Sequence, residues 1–210
     1  MTAPYEQPIS GPTAAFAATL GAQLPVIETA RLRVRAPRLS DFDAWAEILC
    51  GPSGPFMGGP FDRDEAYIEF AAACGSWLLR GHGVMTVEAK SDSTVLGFVM
   101  IWFEPGDQEP ELGYLFRATA EGQGYASEAA RALRDHAFTA MGMDRLVSYV
   151  DPENTRSSRL AERLGARREG QHDGCEVWVH RAVAQTGVSP RVETEGRREE
   201  DAMKASKRGD

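Results

Sequence analysis

The apolar positions of the chain change period several times between residues 31 and 183. RLRVRAP (31–37) alternates apolar and charged residues as a half-buried strand does. LSDFDAWAEILC (39–50) takes up helical spacing with Ser40 placed as its N-cap. FDRDEAYIEFAAACGSWLLR (61–80) does so again, with Asp62 and Glu65 as a capping box ahead of a helix to about Leu79. Two strand-like runs follow, GVMTVEA (83–89) and TVLGFVMIWF (94–103), parted by the turn-like KSDS. The second is apolar on both faces, as a central strand is. EPGDQEP turns the chain into ELGYLFR (111–117). A glycine-bearing loop then leads into a helix whose apolar positions are Ala126, Ala129, Ala130, Leu133, Ala137 and Met141. The strand RLVSYV (145–150), the helix NTRSSRLAERLG (154–165) and a closing strand near CEVWVHRAV (175–183) complete the series. The order β-αα-βββ-α-β-α-β predicts an α/β fold, more closely an α+β mixed sheet with helices on its faces and no internal repeat.

Length and composition narrow this further. A chain of 210 residues with 42% hydrophobic content can bury one domain-sized core. Residues 1–25, with Glu6 as their only charged side chain, read as a flexible extension or an arm carrying a short helix from Pro12 to Leu20. Residues 26–185 form the domain. Residues 186–210 mix acids and bases, lack aromatic residues and show no periodic apolar face, so they read as a disordered charged tail. A formal charge of −8 excludes a general nucleic-acid binder, and no apolar run is long enough to span a membrane. The N-terminus lacks the pattern of a secretion signal, and Cys50, Cys74 and Cys175 make neither an even disulfide set nor a zinc pattern. The expectation is therefore cytoplasmic, with all three cysteines acting as buried small hydrophobes. His82, His136, His172 and His180 are scattered without ligand spacing, so no metal is expected.

The loop EGQGYASEA (121–129) sets several main-chain N–H groups at a helix start, where the first donors have no intrahelical partner and the helix dipole adds positive potential. A phosphate suits such a place. Gly122 and Gly124 equally suit a tight strand-to-helix turn that binds nothing. A Walker loop is absent, and a dinucleotide fingerprint fails because Ser127 stands where its third glycine belongs. A second stretch, DPENTRSSRLAERLGARREG (151–170), opens a helix directly after a strand, with Asn154 at its start and Gly165 past its end.

With these two stretches in this strand order, the chain resembles the GNAT N-acetyltransferase superfamily, and within it the Rim-type enzymes that acetylate N-terminal amines of ribosomal proteins, with their small-molecule relatives. The likeness runs from about Ile27 to about Val183 on IETARLRVRAP, ELGYLF leading into EGQGYASEA, and DPENTRSSRLAERLGA. The resemblance implies a twisted mixed sheet splayed between its fourth and fifth strands, 111–117 and 145–150, with the gap receiving the pantetheine arm of acetyl-CoA. It implies a pyrophosphate cradle of the form [Q/R]-x-x-G-x-[G/A], and so cofactor contacts from Gly122, Gln123, Gly124, Tyr125, Ala126 and Ser127. Backbone groups of Leu115 and Phe116, and the Asn154 amide, would hold the arm. Two positions depart from the pattern. Glu121 occupies the Q/R place, where it is expected to point outward, and Ala161 stands where many members carry an acid-donating tyrosine.

Glu111 is the choice for general base, against the alternative of a solvated strand end beside Asp107 and Glu109. Ser157, at N-x-x-S from Asn154, is offered as the proton donor to the leaving thiolate, with no protein acid as the alternative. Asn154 is either a pantetheine ligand or a plain N-cap. Arg117, Arg156 and Arg159 can meet phosphate charge. Trp102, Tyr114 and Tyr149 either wall the acceptor pocket or pack in the core. The partners expected are acetyl-CoA and an amine acceptor, with no nucleic acid and no membrane; a homodimer is left open. The rival reading is a catalytically silent module of the same fold that binds acyl-CoA as a sensor or scaffold.

Overall fold

The computed structural model describes residues 3–182, so the charged tail expected at 186–210 lies outside the described residues. The elements in chain order are α1 (Gly11–Ala22), β1 (Ile27–Glu28), β2 (Leu32–Arg35), α2 (Phe42–Leu49), α3 (Arg63–Arg80), β3 (Val84–Ala89), β4 (Val95–Trp102), β5 (Glu111–Phe116), α4 (Tyr125–Thr139), β6 (Arg145–Val150), α5 (Thr155–Arg163), β7 (Arg167–His172) and β8 (Cys175–Arg181). The eight strands form one mixed sheet in the order β1-β2-β3-β4-β5-β6-β8-β7. The α/β expectation holds, with β1 and β7 added. β1 has only two residues, and β7 (RREGQH) has five exposed positions and one partly buried, so neither shows the apolar alternation that marks a strand. Each is an edge that owes its existence to a neighbour's ladder.

Helices cover both faces of the sheet. The alternation in β4 sends Phe98 and Met100 toward α2 and α3, where they meet Trp45, Leu49, Phe70 and Ala73. Val99 and Ile101 point to the other face, in one cluster with Ala129, Ala130 and Leu133 of α4, Leu160 of α5 and Leu164 just past its end. Phe98 is fully buried, which contributes roughly 1.5–3 kcal/mol for a side chain of that size. α1 forms over a longer span than Pro12–Leu20 but buries none of its residues.

The start of α2 departs from expectation. Ser40 does not cap it; the N-cap is Asp41, which closes a 3-10 turn over Leu39–Asp41. The Asp41 carboxylate is drawn into the protein instead. It takes a bidentate pair from Arg35 at 2.8 and 3.0 Å, the Thr86 hydroxyl at 2.8 Å and the Arg38 N–H at 2.8 Å, while Arg35 also donates to Glu88 at 2.7 Å. Satisfying a buried guanidinium outweighs capping a helix. By contrast the capping box on α3 forms as its spacing predicts. Asp62 accepts from the Glu65 N–H at 2.9 Å and Glu65 accepts from the Asp62 N–H at 2.8 Å. Gly81 ends that helix at φ 73°. The cysteines are corrected as well. Cys50 is exposed at the end of α2, and Cys74 and Cys175 are only partly buried.

Candidate active site

β5 and β6 are the sheet's parallel neighbours, and they are in register at one pair only, Glu111 with Val147. β4 pairs with β5 over six positions and β6 with β8 over six, so the parting is confined to this seam. Side chains seal its apex. The Ser148 hydroxyl donates to the Leu112 carbonyl at 2.8 Å, and the Tyr149 N–H donates to Glu111 Oε1 at 3.1 Å. Beyond that point the strands diverge. The Arg117 N–H bonds to Leu96 across β4, so by strand alternation the main chain of Leu115 also faces β4, while that of Tyr114 and Phe116 faces the open seam.

At one end of the seam lies a cleft of about 910 Å³ between the β5–α4 loop and α5. Its floor is the start of α4. Gly122 and Gly124 adopt φ 73° and 80°, conformations side chains rarely take, and Gly124 caps the helix without a side chain. That geometry turns the N–H groups of Tyr125, Ala126 and Ser127 outward, with no protein acceptor among the described residues. Arg31 braces the loop from behind. Its guanidinium donates to the Gln123 carbonyl at 2.9 Å, pairs with Glu128 at 2.7 Å and lies 4.5 Å above the Tyr125 ring. Arg31 and Glu128 are 97 residues apart in sequence, and nothing local in either stretch announces the pair.

Of the residues expected at this cleft, Leu115, Phe116, Gly122, Gly124, Tyr125, Ala126, Ser127 and Asn154 line it. Gln123 does not, since its side chain folds back to donate to the Thr119 carbonyl at 3.0 Å. Arg156 and Arg159 line it, joined by Arg163 from the last turn of α5. Arg117 instead bonds Glu47 at 2.6 Å. Glu121 is exposed, and from there it reaches across the cleft mouth to the exposed Arg156 at 2.5 Å.

A second cleft of about 610 Å³ opens at the other end of the seam. Glu111, Trp102, Tyr114, Tyr149 and Ser157 all line it. The two clefts share Tyr114, Asn154, Ser157, Phe56 and Met57, so they meet where the sheet forks. Asn154 Oδ1 accepts from the Ser157 N–H at 3.2 Å, which makes it the N-cap of α5 and leaves its amide NH₂ as the free donor. The Tyr114 hydroxyl donates to the Ser157 carbonyl at 3.1 Å. Burial first, then the charge of Glu111, push the Tyr114 phenol upward, so it stays protonated. Tyr149 is both wall and brace. Its hydroxyl accepts from the Gln108 and Glu109 N–H groups at 3.2 and 3.3 Å.

The structure separates the three acids that the sequence left together. Glu109 is paired with Arg145, Asp107 accepts from the Glu104 N–H at 2.7 Å, and Glu111 alone sits at the apex. Loss of water around its carboxyl raises the pKa to about 8. The Tyr149 N–H pulls the other way, and Asp107 and Glu104 add to the rise. Oε1 is engaged with Tyr149, and Oε2 has no partner among the described residues. Ser148, missed by the sequence reading, holds the apex and touches His180 Nε2 at 3.1 Å; burial first, with Arg134 adding to it, lowers that imidazole to about 4, so it is neutral.

A parallel seam that opens after one pair, with bare N–H donors at one end, is the arrangement the acetyltransferase resemblance implied. The family model for the acetyltransferase (GNAT) domain matches residues 31–167. The chain belongs to the GNAT acetyltransferase family. It is 40% identical over 153 residues to the uncharacterized N-acetyltransferase p20 of Bacillus licheniformis, covering 70% of this chain and 85% of that one. Against the uncharacterized N-acetyltransferase YnaD of Bacillus subtilis the identity is 31% over 86 residues, 41% of this chain, and the match spans about half of that relative's length, 51%. An acetyltransferase from Agrobacterium tumefaciens superposes with a TM-score of 0.72 at 33% identity, covering 76% of this chain and 96% of its own. RimJ of Mycobacterium smegmatis, solved in complex with CoA-disulfide, shares the fold at a TM-score of 0.60 and 22% identity, with 76% and 88% covered. The likeness of this GNAT domain to its relatives thus extends to three dimensions. Among the described residues no helix is long and apolar enough to cross a membrane.

Proposed function

We propose that this GNAT protein transfers the acetyl group of acetyl-CoA to a primary amine by direct attack while both are bound. The observation that carries the reading is the meeting of two clefts at Tyr114, Asn154 and Ser157, beside the one carboxylate at the fork. The N–H groups of Tyr125, Ala126 and Ser127, with Arg159 and Arg163, hold the pyrophosphate. The open main-chain edge of Tyr114 and Phe116 pairs with the pantetheine arm as a strand would, and the Asn154 NH₂ donates to one of its amide carbonyls. This moves the pairing role from Leu115 to Tyr114, on account of the strand alternation.

Glu111 Oε2 takes the proton that the amine nitrogen loses as its bond to the acetyl carbon forms. A base of pKa about 8 is better matched to an amine than an ordinary carboxylate. As the carbon–sulfur bond breaks, the Ser157 hydroxyl supplies a proton to the departing sulfur and is reprotonated from solvent. Tyr114 orients that helix start through the Ser157 carbonyl. Release of free thiol from acetyl-CoA, measured with peptides, polyamines, amino acids and aminoglycosides, tests the proposal. Amine-dependent release above the background of hydrolysis is expected. Tight acetyl-CoA binding without release for any acceptor would favour the silent sensor.

A further inference from the structure

The acceptor cleft carries Glu69, Glu104, Asp107, Glu111, Asp151 and Asp173 on its lining, and neither lysine nor arginine. Among the described residues none of these six carboxylates takes part in an ion pair. Acids just outside the lining do: Glu109 and Glu169 are both matched to Arg145. The lining acids are oriented, where a partner exists, by neutral donors. Asp107 takes the Glu104 N–H, Asp151 the Glu153 N–H at 2.7 Å, Glu104 the Trp102 indole N–H and Glu111 the Tyr149 N–H. The charge is therefore uncompensated, and it is felt. Burial, with Glu104 adding to it, raises Glu69 above the usual carboxylate range, and the rise at Glu111 has Asp107 and Glu104 among its causes.

The band is also extended. No group of three or more such side chains among the described residues converges to hold a metal ion. Between the acids the lining is apolar and aromatic, with Trp45, Leu49, Phe61, Met100 and Trp102. Donors for a ligand's carbonyls are few, because the Ser148 hydroxyl is given to Leu112 and the His172 ring bonds to the Gly106 carbonyl. Separated acceptors set in an apolar wall complement a molecule made only of ammonium groups and methylenes. A peptide or amino acid would bring a carboxylate or backbone carbonyls against a wall that carries six acids and neither lysine nor arginine, which disfavours them relative to a polycation.

Building on the acetyl-transfer reading, we propose that the acceptor is a linear di- or polyamine, one amine reaching Glu111 while a second ammonium group is held by Glu69 and Glu104. The test measures thiol release by the full chain at saturating acetyl-CoA, with butylamine, 1,4-diaminobutane, spermidine and a peptide carrying lysine next to its N-terminus. The diamine and spermidine are expected to exceed butylamine at least tenfold in kcat/KM, and 0.5 M salt to erode that margin. Glu69→Gln should raise KM for spermidine about tenfold and Glu104→Gln about threefold, in each case well beyond any change in the KM for butylamine, with Glu104→Gln also moving the pH profile because it removes one of the charges acting on Glu111. Gln at position 104 can still accept from the Trp102 indole. Equal rates for butylamine and the diamine, equal effects of both variants on every amine, or turnover of the peptide alone would overturn the polyamine acceptor while leaving acetyl transfer intact. Silence with every amine would overturn acetyl transfer itself, and the polyamine with it.

Discussion

The two clefts at the fork are built from different materials. The cleft proposed for the cofactor offers main-chain N–H groups at the start of α4, with Arg156, Arg159 and Arg163 on its lining. The cleft proposed for the acceptor offers carboxylates without ion-pair partners among the described residues. An overall acidic chain thus keeps its positive potential local, at one helix end and one helix face, where a pyrophosphate would lie. The opposite sign stands a few residues away, where the proposed amine acceptor would give up a proton to Glu111 as it is acetylated. Main-chain donors impose no choice among acyl-CoA ligands, since every one shares the same diphosphate. Side-chain carboxylates can be varied one at a time, so the second cleft is where specificity can be set.

Five substitutions would break or sharpen that contrast. Glu111→Gln keeps an acceptor for the Tyr149 N–H but removes the base, and kcat should fall by about 10²- to 10⁴-fold with little change in acetyl-CoA affinity. In the unaltered protein kcat/KM should rise with pH to a plateau above about 8, as the carboxyl loses its proton. The same group makes a stability statement. Its pKa in the fold is raised to about 8 from 4.5, so the folded protein holds an extra proton between those values, and stability falls as pH rises through that window. The Gln variant should lack this slope, showing a higher melting temperature than the parent at pH 9; an identical pH profile of melting would remove Glu111 from its buried place.

Gly124→Asp puts a charge at the helix start. Asp tolerates positive φ better than most residues, and its Cβ would meet only the Arg31 guanidinium, at 3.5 Å, so folding should survive. Acetyl-CoA affinity should drop by about tenfold or more, read by calorimetry. Unchanged binding would detach the loop from the cofactor. Arg159→Ala and Arg163→Ala should each weaken acetyl-CoA about threefold, an effect that shrinks in high salt, while leaving the KM of the amine alone. The smallest effect belongs to the Glu121–Arg156 pair across the cleft mouth. Glu121→Gln frees the arginine for the diphosphate and should tighten acetyl-CoA about twofold; weaker binding would mean that the acid positions the loop instead.

Much of this was legible along the chain, for reasons that differ from element to element. β4 reads as central because both of its faces are apolar, and α3 reads as a helix because Asp62 and Glu65 complete a box that needs only three residues of chain. Local rules failed where a distant group outbid them. Ser40 and Asp41 look alike as caps, and only the buried Arg35, arriving on β2, decides that Asp41 turns inward. β7 has no apolar face to read and exists through its ladder with β8. Leu115 and Tyr114 are neighbours whose peptide groups face opposite edges, a distinction that depends on the β4 register.

For the site, the sequence by itself determined the two glycines, the helix start they expose, Asn154 at the head of α5 and an acid at position 111, because these are short-range matters of backbone freedom and spacing. Only the tertiary structure decided which of Asp107, Glu109 and Glu111 reaches the fork, that Gln123 turns away, that Arg31 and Glu128 clamp the loop, and that acids from α3, the β4–β5 loop and the β6 and β7 ends share one cleft. Charge acts through space and falls with distance, so its effect on a site depends on which segments the fold brings within reach. Composition can state how many acids there are. It cannot state which of them will be left facing one another without a cation between.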